Sequence, residues 1–121
     1  MNIALLGFGT VGRAFYELAL GRGDLRVTTV LSRRARPELH CTVTDRFEDI
    51  LRDRSIDTVV EVMGGLEPAY GYLCEAMRAG KHIVTANKQL MCAHYDELLT
   101  LARECGVSLR CTAAAGGGIP W

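Results

Sequence analysis

The residues best suited to chemistry stand near the start of the chain. Gly7-Phe8-Gly9-Thr10-Val11-Gly12 has the spacing G-x-G-x-x-G. Between a strand and a helix, such a run makes a phosphate cradle. The first glycine turns the chain sharply, the second lets an anion approach the backbone, and the third lets the helix pack close. Free N–H groups and the dipole at the helix start then favour negative charge. The plainer alternative is a glycine turn that only closes a tight corner.

The segment about 20 residues beyond such a motif selects the cofactor, because an aspartate or glutamate there bonds a ribose 2′-hydroxyl. Here the segment is Leu31-Ser32-Arg33-Arg34-Ala35-Arg36. It holds no carboxylate; the nearest are Asp24 before it and Glu38 beyond it. The guanidinium groups of Arg33 and Arg34 suit a 2′-phosphate, with Ser32 as a further donor. The pattern favours NADP over NAD, against the alternative of a solvated basic loop.

Two later segments also carry candidates. Met63-Gly64-Gly65 offers either backbone amides to a cofactor ribose or a turn that needs positive φ. Thr85-Ala86-Asn87-Lys88 contains one of only two lysines in the chain. A lysine such as Lys88 near a reacting carbonyl stabilises oxyanion charge or donates a proton; a surface lysine at a helix start is the alternative. The other lysine, Lys81, reads as surface. Glu61 lies inside an apolar run, where it either braces the neighbouring glycines or emerges at a strand end. His40, His82 and His94 have no metal-ligand spacing and read as structural. Tyr70, Tyr72 and Tyr95 read as packing residues. The five cysteines are odd in number, with no Cys-x-x-Cys, so free and mostly buried thiols are expected and no metal.

The elements that position these groups follow from apolar spacing. Strands are expected at Ile3–Leu6, Val27–Leu31, Cys41–Thr44, Thr58–Met63, His82–Thr85 and Val107–Cys111. A helix after the glycine motif should bury Val11, Ala14, Phe15, Leu18 and Ala19. Asp45 with Glu48 resembles a cap opening a short helix through Phe47, Ile50 and Leu51. Glu67-Pro68 starts another helix, ended by Gly80. A longer one runs from Lys88 to Cys105 with Tyr95, Leu98, Leu99 and Ala102 on one face, stopped by Gly106. The tail from Ala113 leaves regular structure. This alternation predicts an α/β, Rossmann-type doubly wound parallel sheet, as one three-layer domain over residues 1–121.

Composition agrees. Hydrophobic residues make up 49% and charged residues 23%, as in ordinary globular proteins. Fourteen basic residues balance 14 acidic ones, which argues against nucleic acid or an anionic membrane as partner. No apolar run is long enough to span a bilayer, and the N-terminus reads as no signal peptide; a cytoplasmic protein is expected.

Four stretches resemble the N-terminal nucleotide-binding domain of homoserine dehydrogenases. They are Leu5–Gly12, Val59-Val60-Glu61-Val62-Met63-Gly64-Gly65-Leu66-Glu67-Pro68-Ala69, Gly80-Lys81-His82-Ile83-Val84-Thr85-Ala86-Asn87-Lys88, and Gly116-Gly117-Gly118-Ile119-Pro120. The middle two are the most specific. The glucose–fructose oxidoreductase-like dehydrogenases share the entry Ala79-Gly80-Lys81-His82 but continue with Glu-Lys-Pro, where this chain has Ala86-Asn87-Lys88.

The resemblance implies NAD(P)-linked interconversion of homoserine and aspartate 4-semialdehyde, on the way to threonine and methionine. It places Phe8, Thr10 and Val11 along the diphosphate, and Arg33 or Arg34 at the adenosine ribose. Gly64, Gly65, Thr85 and Asn87 flank the nicotinamide, and Lys88 reaches the nicotinamide and substrate. The family continues past Gly-Gly-Gly-Ile-Pro into a second domain that supplies substrate carboxylates, a second lysine and the dimer interface. The expectation for these 121 residues is therefore cofactor binding without turnover; the alternatives are a non-catalytic dinucleotide sensor or another NAD(P)-dependent oxidoreductase. The family's sodium site implies backbone oxygens of Ala115, Gly117 and Ile119 and an acidic residue where this chain has Thr112. Thr112 lacks the charge a hard cation wants, so no metal is expected there.

Overall fold

Short β-branched runs become strands, and the glycine- and proline-marked stretches between them become turns. The computed structural model describes residues 1–112. Its elements are β1 (Asn2–Leu6), α1 (Thr10–Leu20), β2 (Arg26–Leu31), β3 (Thr42–Thr44), α2 (Phe47–Arg52), β4 (Thr58–Glu61), α3 (Ala69–Arg78), β5 (His82–Thr85), α4 (Lys88–Cys105) and β6 (Leu109–Cys111). Among the described residues, six strands form one sheet in the order β3-β2-β1-β4-β5-β6. All the pairings are parallel. The chain builds outward from β1 to one edge, crosses to β4 and builds to the other, so the winding reverses between β1 and β4.

The register aligns Leu31, Leu6, Glu61, Thr85 and Cys111 in one row across β2, β1, β4, β5 and β6. The residues that follow this row are the glycine elbow, the Ser32 segment, the Met63 loop and Asn87. Parallel pairing therefore gathers the candidate segments on one edge, the carboxyl edge.

Side chains alternate across the sheet as a strand period of two requires. Ile3, Leu5, Val30, Val60 and Val84 face α1, with Phe8 and Tyr16. Ala4, Leu6, Leu31, Val59 and Ile83 pack against α2, α3 and α4 through Ile50, Leu73, Met77, Leu90 and Leu98. Three layers result.

Several side chains sit differently from the sequence reading. Helix α1 buries Gly12, Tyr16 and Ala19, while Val11 and Leu18 are 55% and 49% exposed and Ala14 is also exposed. The close packing of Gly12 fixes the rotation of the helix, and Tyr16 is accommodated because its hydroxyl accepts the His40 N–H at 3.2 Å. Tyr95 is 53% exposed, and α4 is kinked at the preceding His94, where φ is −131° and ψ is 27°. Asp45 caps nothing: Arg46 holds the N-cap position of α2, and Thr44 Oγ1 accepts the Arg46 N–H at 3.0 Å and donates to Asp49 at 2.6 Å. Pro68 is itself the cap residue of α3.

Lys81 is the largest departure. It is 3% exposed, and its Nζ donates to the carbonyls of Asp53 and Ile56 at 2.8 and 2.9 Å. It ties off the carbonyl end of α2 at the amino edge of the sheet. Burial lowers its pKa from the usual lysine value. Of the five cysteines, all free, Cys74 is buried, Cys92 is exposed, and Cys41, Cys105 and Cys111 lie between. Burial raises the pKa of Cys74 and Cys111.

Candidate functional site

The elbow between β1 and α1 needs glycine for steric reasons. Gly7 has φ +98°, and a Cβ there would stand 3.3 Å from the Cα of Met63. A Cβ on Gly12 would stand 2.6 Å from the Gly7 carbonyl oxygen, closer than real contacts allow. A Cβ on Gly9 would meet nothing within 4 Å. Gly9 holds the N-cap position of α1, and no side chain caps that helix. Its first N–H groups are thus left for a ligand. Thr10 and Val11 are exposed at this corner. Phe8 turns the other way, buried edge-on against Tyr16 with ring centroids 5.8 Å apart.

The arginine segment after β2 is folded onto the elbow by a residue outside the predicted pair. Ser32 Oγ donates to the Arg34 carbonyl at 3.0 Å and accepts the Arg34 N–H at 3.2 Å and Arg36 Nε at 3.4 Å. Arg36 donates to the Phe8 carbonyl at 3.3 Å, and its guanidinium lies 5.3 Å from the Phe8 ring centroid. Arg13 lies 4.9 Å from the same centroid and pairs with Glu38 at 3.4 Å. Arg33 and Arg34 are exposed. Three arginines in four positions showed in the sequence; which of them folds back is a tertiary outcome.

Glu61 braces the glycine loop. It is fully buried, and its Oε2 accepts the N–H groups of Met63 and Gly64 at 2.9 and 3.1 Å. Two of the loop amides therefore point inward, while Gly64 and Gly65, with φ +77° and +76°, are exposed. The turn needs positive φ at both. Thr85 Oγ1 donates to Glu61 Oε1 and accepts the Asn87 N–H at 3.0 Å. Asn87 Nδ2 donates to the Gly65 carbonyl at 2.5 Å and to Glu61 at 3.4 Å, while its Oδ1 caps α4 through the Leu90 N–H at 3.1 Å. Thr85 and Asn87 are buried, with their side chains occupied in this network. Lys88, the first residue of α4, is exposed beside them.

The structure thus brings the elbow, the Ser32 segment, the Gly64-Gly65 turn and Lys88 to one edge. Two surface clefts lie at the opposite edge. Those lined by Arg26, Val27 and His40, about 450 Å³, and by Arg54, Gly80 and Lys81, about 620 Å³, open at the amino edge. Helix C-termini, with their carbonyls, also end there. The backbone oxygens of residues 115, 117 and 119 and the tail from Ala113 lie outside the described residues.

Residues 7–112 match the family described as "Homoserine dehydrogenase, NAD binding domain". The chain belongs to that family. It is 35% identical to the homoserine dehydrogenase of Lactococcus lactis and 34% identical to that of Bacillus subtilis. In both alignments 99% of this chain is covered, against 32% and 31% of the relative. It therefore spans about a third of the length of these relatives. The crystal structure of S. aureus homoserine dehydrogenase at pH 8.5 superposes with a TM-score of 0.86 at 37% identity, over 94% of this chain and 32% of that one. The enzyme from Thiobacillus denitrificans gives 0.86 at 32% identity, over 94% and 30%. Family membership makes this an NAD-binding domain of the Rossmann kind. The described residues contain no helix long and apolar enough to cross a membrane.

Proposed function

We propose that residues 1–121 form one NAD(P)-binding domain. Together with the further length its relatives carry, it interconverts homoserine and aspartate 4-semialdehyde. The observation that carries this reading is the 2.6 Å approach between a Cβ at Gly12 and the Gly7 oxygen. Only glycine lets the uncapped start of α1 close on the elbow, which is the arrangement a diphosphate requires. Backbone N–H groups at Gly9, Thr10 and Val11 bind the diphosphate, and the bare Cα of Gly9 leaves room for it.

Ser32, Arg33, Arg34 and Arg36 hold a 2′-phosphate, so NADP is preferred over NAD. A full positive charge near the elbow and no carboxylate from Leu31 to Arg36 support this choice. Met63, Gly64, Gly65, Thr85 and Asn87 shape the nicotinamide end of the site.

When bound there, the dinucleotide supplies the hydride chemistry. Lys88 presents its ammonium where an aldehyde oxygen gains charge, and holds a proton at Nζ. The substrate carboxylates, the second lysine that donates a proton and the dimer interface belong to the remaining length. The partner is thus a small cytoplasmic metabolite; the even charge balance supports neither nucleic acid nor membrane.

The test is a titration of NADPH and NADH against the 121-residue chain, followed by cofactor fluorescence. Saturable binding, tighter for NADPH, is expected. No saturation with either at millimolar concentration would overturn the reading.

A further inference from the structure

Glu61 is a buried carboxylate with no cation within ion-pair distance among the described residues. Burying such a group is unfavourable unless hydrogen bonds replace its water. Four donors do so: the N–H groups of Met63 and Gly64, Thr85 Oγ1 and Asn87 Nδ2. That matches the roughly four acceptor sites of a carboxylate. The donors come from two places, the loop after β4 and the junction of β5 with α4. Asn87 doubles the link, because the same amide holds the Gly65 carbonyl and caps the helix that begins with Lys88. Glu61 is therefore the carboxylate on which the Gly64-Gly65 turn and the start of the lysine helix converge, with Asn87 bridging the same two segments.

The geometry points to Glu61 as the positioning residue of the nicotinamide half of the site, fixing the glycine turn and Lys88 relative to each other. This rests on the cofactor reading above. The adenosine half depends on a different set of contacts: the Gly7–Gly12 elbow, Ser32 and Arg36, none of which bonds to Glu61. Loosening the carboxylate should therefore weaken one end of a dinucleotide and spare the other. A residue that merely stabilised the fold would affect both ends alike.

The chain can be tested with two ligands, NADPH and 2′,5′-ADP, the second being the adenosine end alone. Two variants are informative. Glu61→Gln keeps the shape but removes the charge and replaces one of the two accepting oxygens with a donor NH2. Asn87→Asp keeps the helix cap but sets a carboxylate oxygen against Glu61 and the Gly65 carbonyl. In each, NADPH affinity should fall roughly fivefold or more, the worth of a lost hydrogen bond, with 2′,5′-ADP affinity within about twofold of the parent. If Glu61→Gln does not fold, Asn87→Asp carries the test alone. Equal losses for both ligands, or no loss for NADPH, would overturn the assignment. So would a parent chain that binds 2′,5′-ADP as tightly as NADPH, since the nicotinamide half would then be idle. A parent that binds neither would remove the cofactor reading itself and this inference with it.

Discussion

A Cβ added to Gly12 would lie 2.6 Å from the carbonyl oxygen of Gly7. Both atoms belong to backbone-anchored positions, so a rotamer change cannot relieve the clash; α1 must move off the sheet. Gly12→Ala should destabilise the fold by about 1–3 kcal/mol through overpacking. It should also lower NADPH affinity by roughly tenfold or more, because the proposed diphosphate donors sit at the helix start. Urea denaturation and a fluorescence titration of the same variant check both. Unchanged stability would mean the elbow has slack that the geometry does not show.

Arg36 couples the basic loop to the elbow through the Phe8 carbonyl and ring. Arg36→Ala should reduce NADPH affinity by roughly ten- to a hundredfold, the worth of one charge-assisted hydrogen bond, and leave NADH within about twofold. Equal losses for the two would reassign Arg36 to loop packing.

Much of this arrangement was legible in the residues. The strand His82–Thr85 and the helix Lys88–Cys105 have the bounds their apolar runs and glycine stops imply. Parallel order then followed from alternation. The elbow was legible because its chemistry is local: three glycines at fixed spacing after a strand. Orientation was less legible. Apolar spacing put Val11 and Leu18 inward, but the depth of packing at Gly12 sets the rotation of α1, and Tyr16 goes in with its hydroxyl satisfied. Lys81 and Arg36 were misread or overlooked for the same reason. A charged head can be buried against carbonyls, or folded onto a ring, only by partners far away in sequence. Glu61 was visible as an anomaly in an apolar run, but its four donors lie up to 26 residues from it in sequence.

The buried lysine gives a prediction independent of any ligand. Lys81→Met keeps much of the apolar stem but removes the ammonium from both carbonyls: Asp53 O keeps the Ile56 N–H at 3.2 Å, whereas Ile56 O loses its donor. Unsatisfied buried acceptors are unfavourable, so stability should drop by about 1–3 kcal/mol in urea denaturation. Dinucleotide binding at the opposite edge should persist below the transition. A fully stable variant would mean water replaces the ammonium.

Stability should also depend on pH through a side-chain cluster that joins α3 to α4. Tyr70 donates to Glu97 at 2.6 Å, and His94 stacks on Tyr70 with centroids 4.0 Å apart. The Tyr70 hydroxyl, then His94, lowers the Glu97 pKa from its ordinary 4.5. The hydrogen bond to Glu97 likewise raises the Tyr70 pKa above its ordinary 10.0. Below pH 4.5 the unfolded chain binds the proton first, so the Glu97 contribution is lost as pH falls through the folded value. Above pH 10.0 the unfolded chain loses the tyrosine proton first, so stability falls again as pH rises. Thermal unfolding of the parent and Tyr70→Phe across pH measures both limbs. The variant should show shallower slopes at each end, and identical slopes would place the pH dependence elsewhere.

The central claim is that backbone amides at the elbow grip a diphosphate. Amide resonances of the 121-residue chain, followed by NMR during addition of NADP, test it directly. The account predicts the largest saturable shifts at Gly7, Gly9, Thr10, Val11 and Gly12, with a second group near Ser32 and Arg36. Shifts confined to the amino edge, around Arg26, His40 or Lys81, with the elbow unmoved, would contradict it.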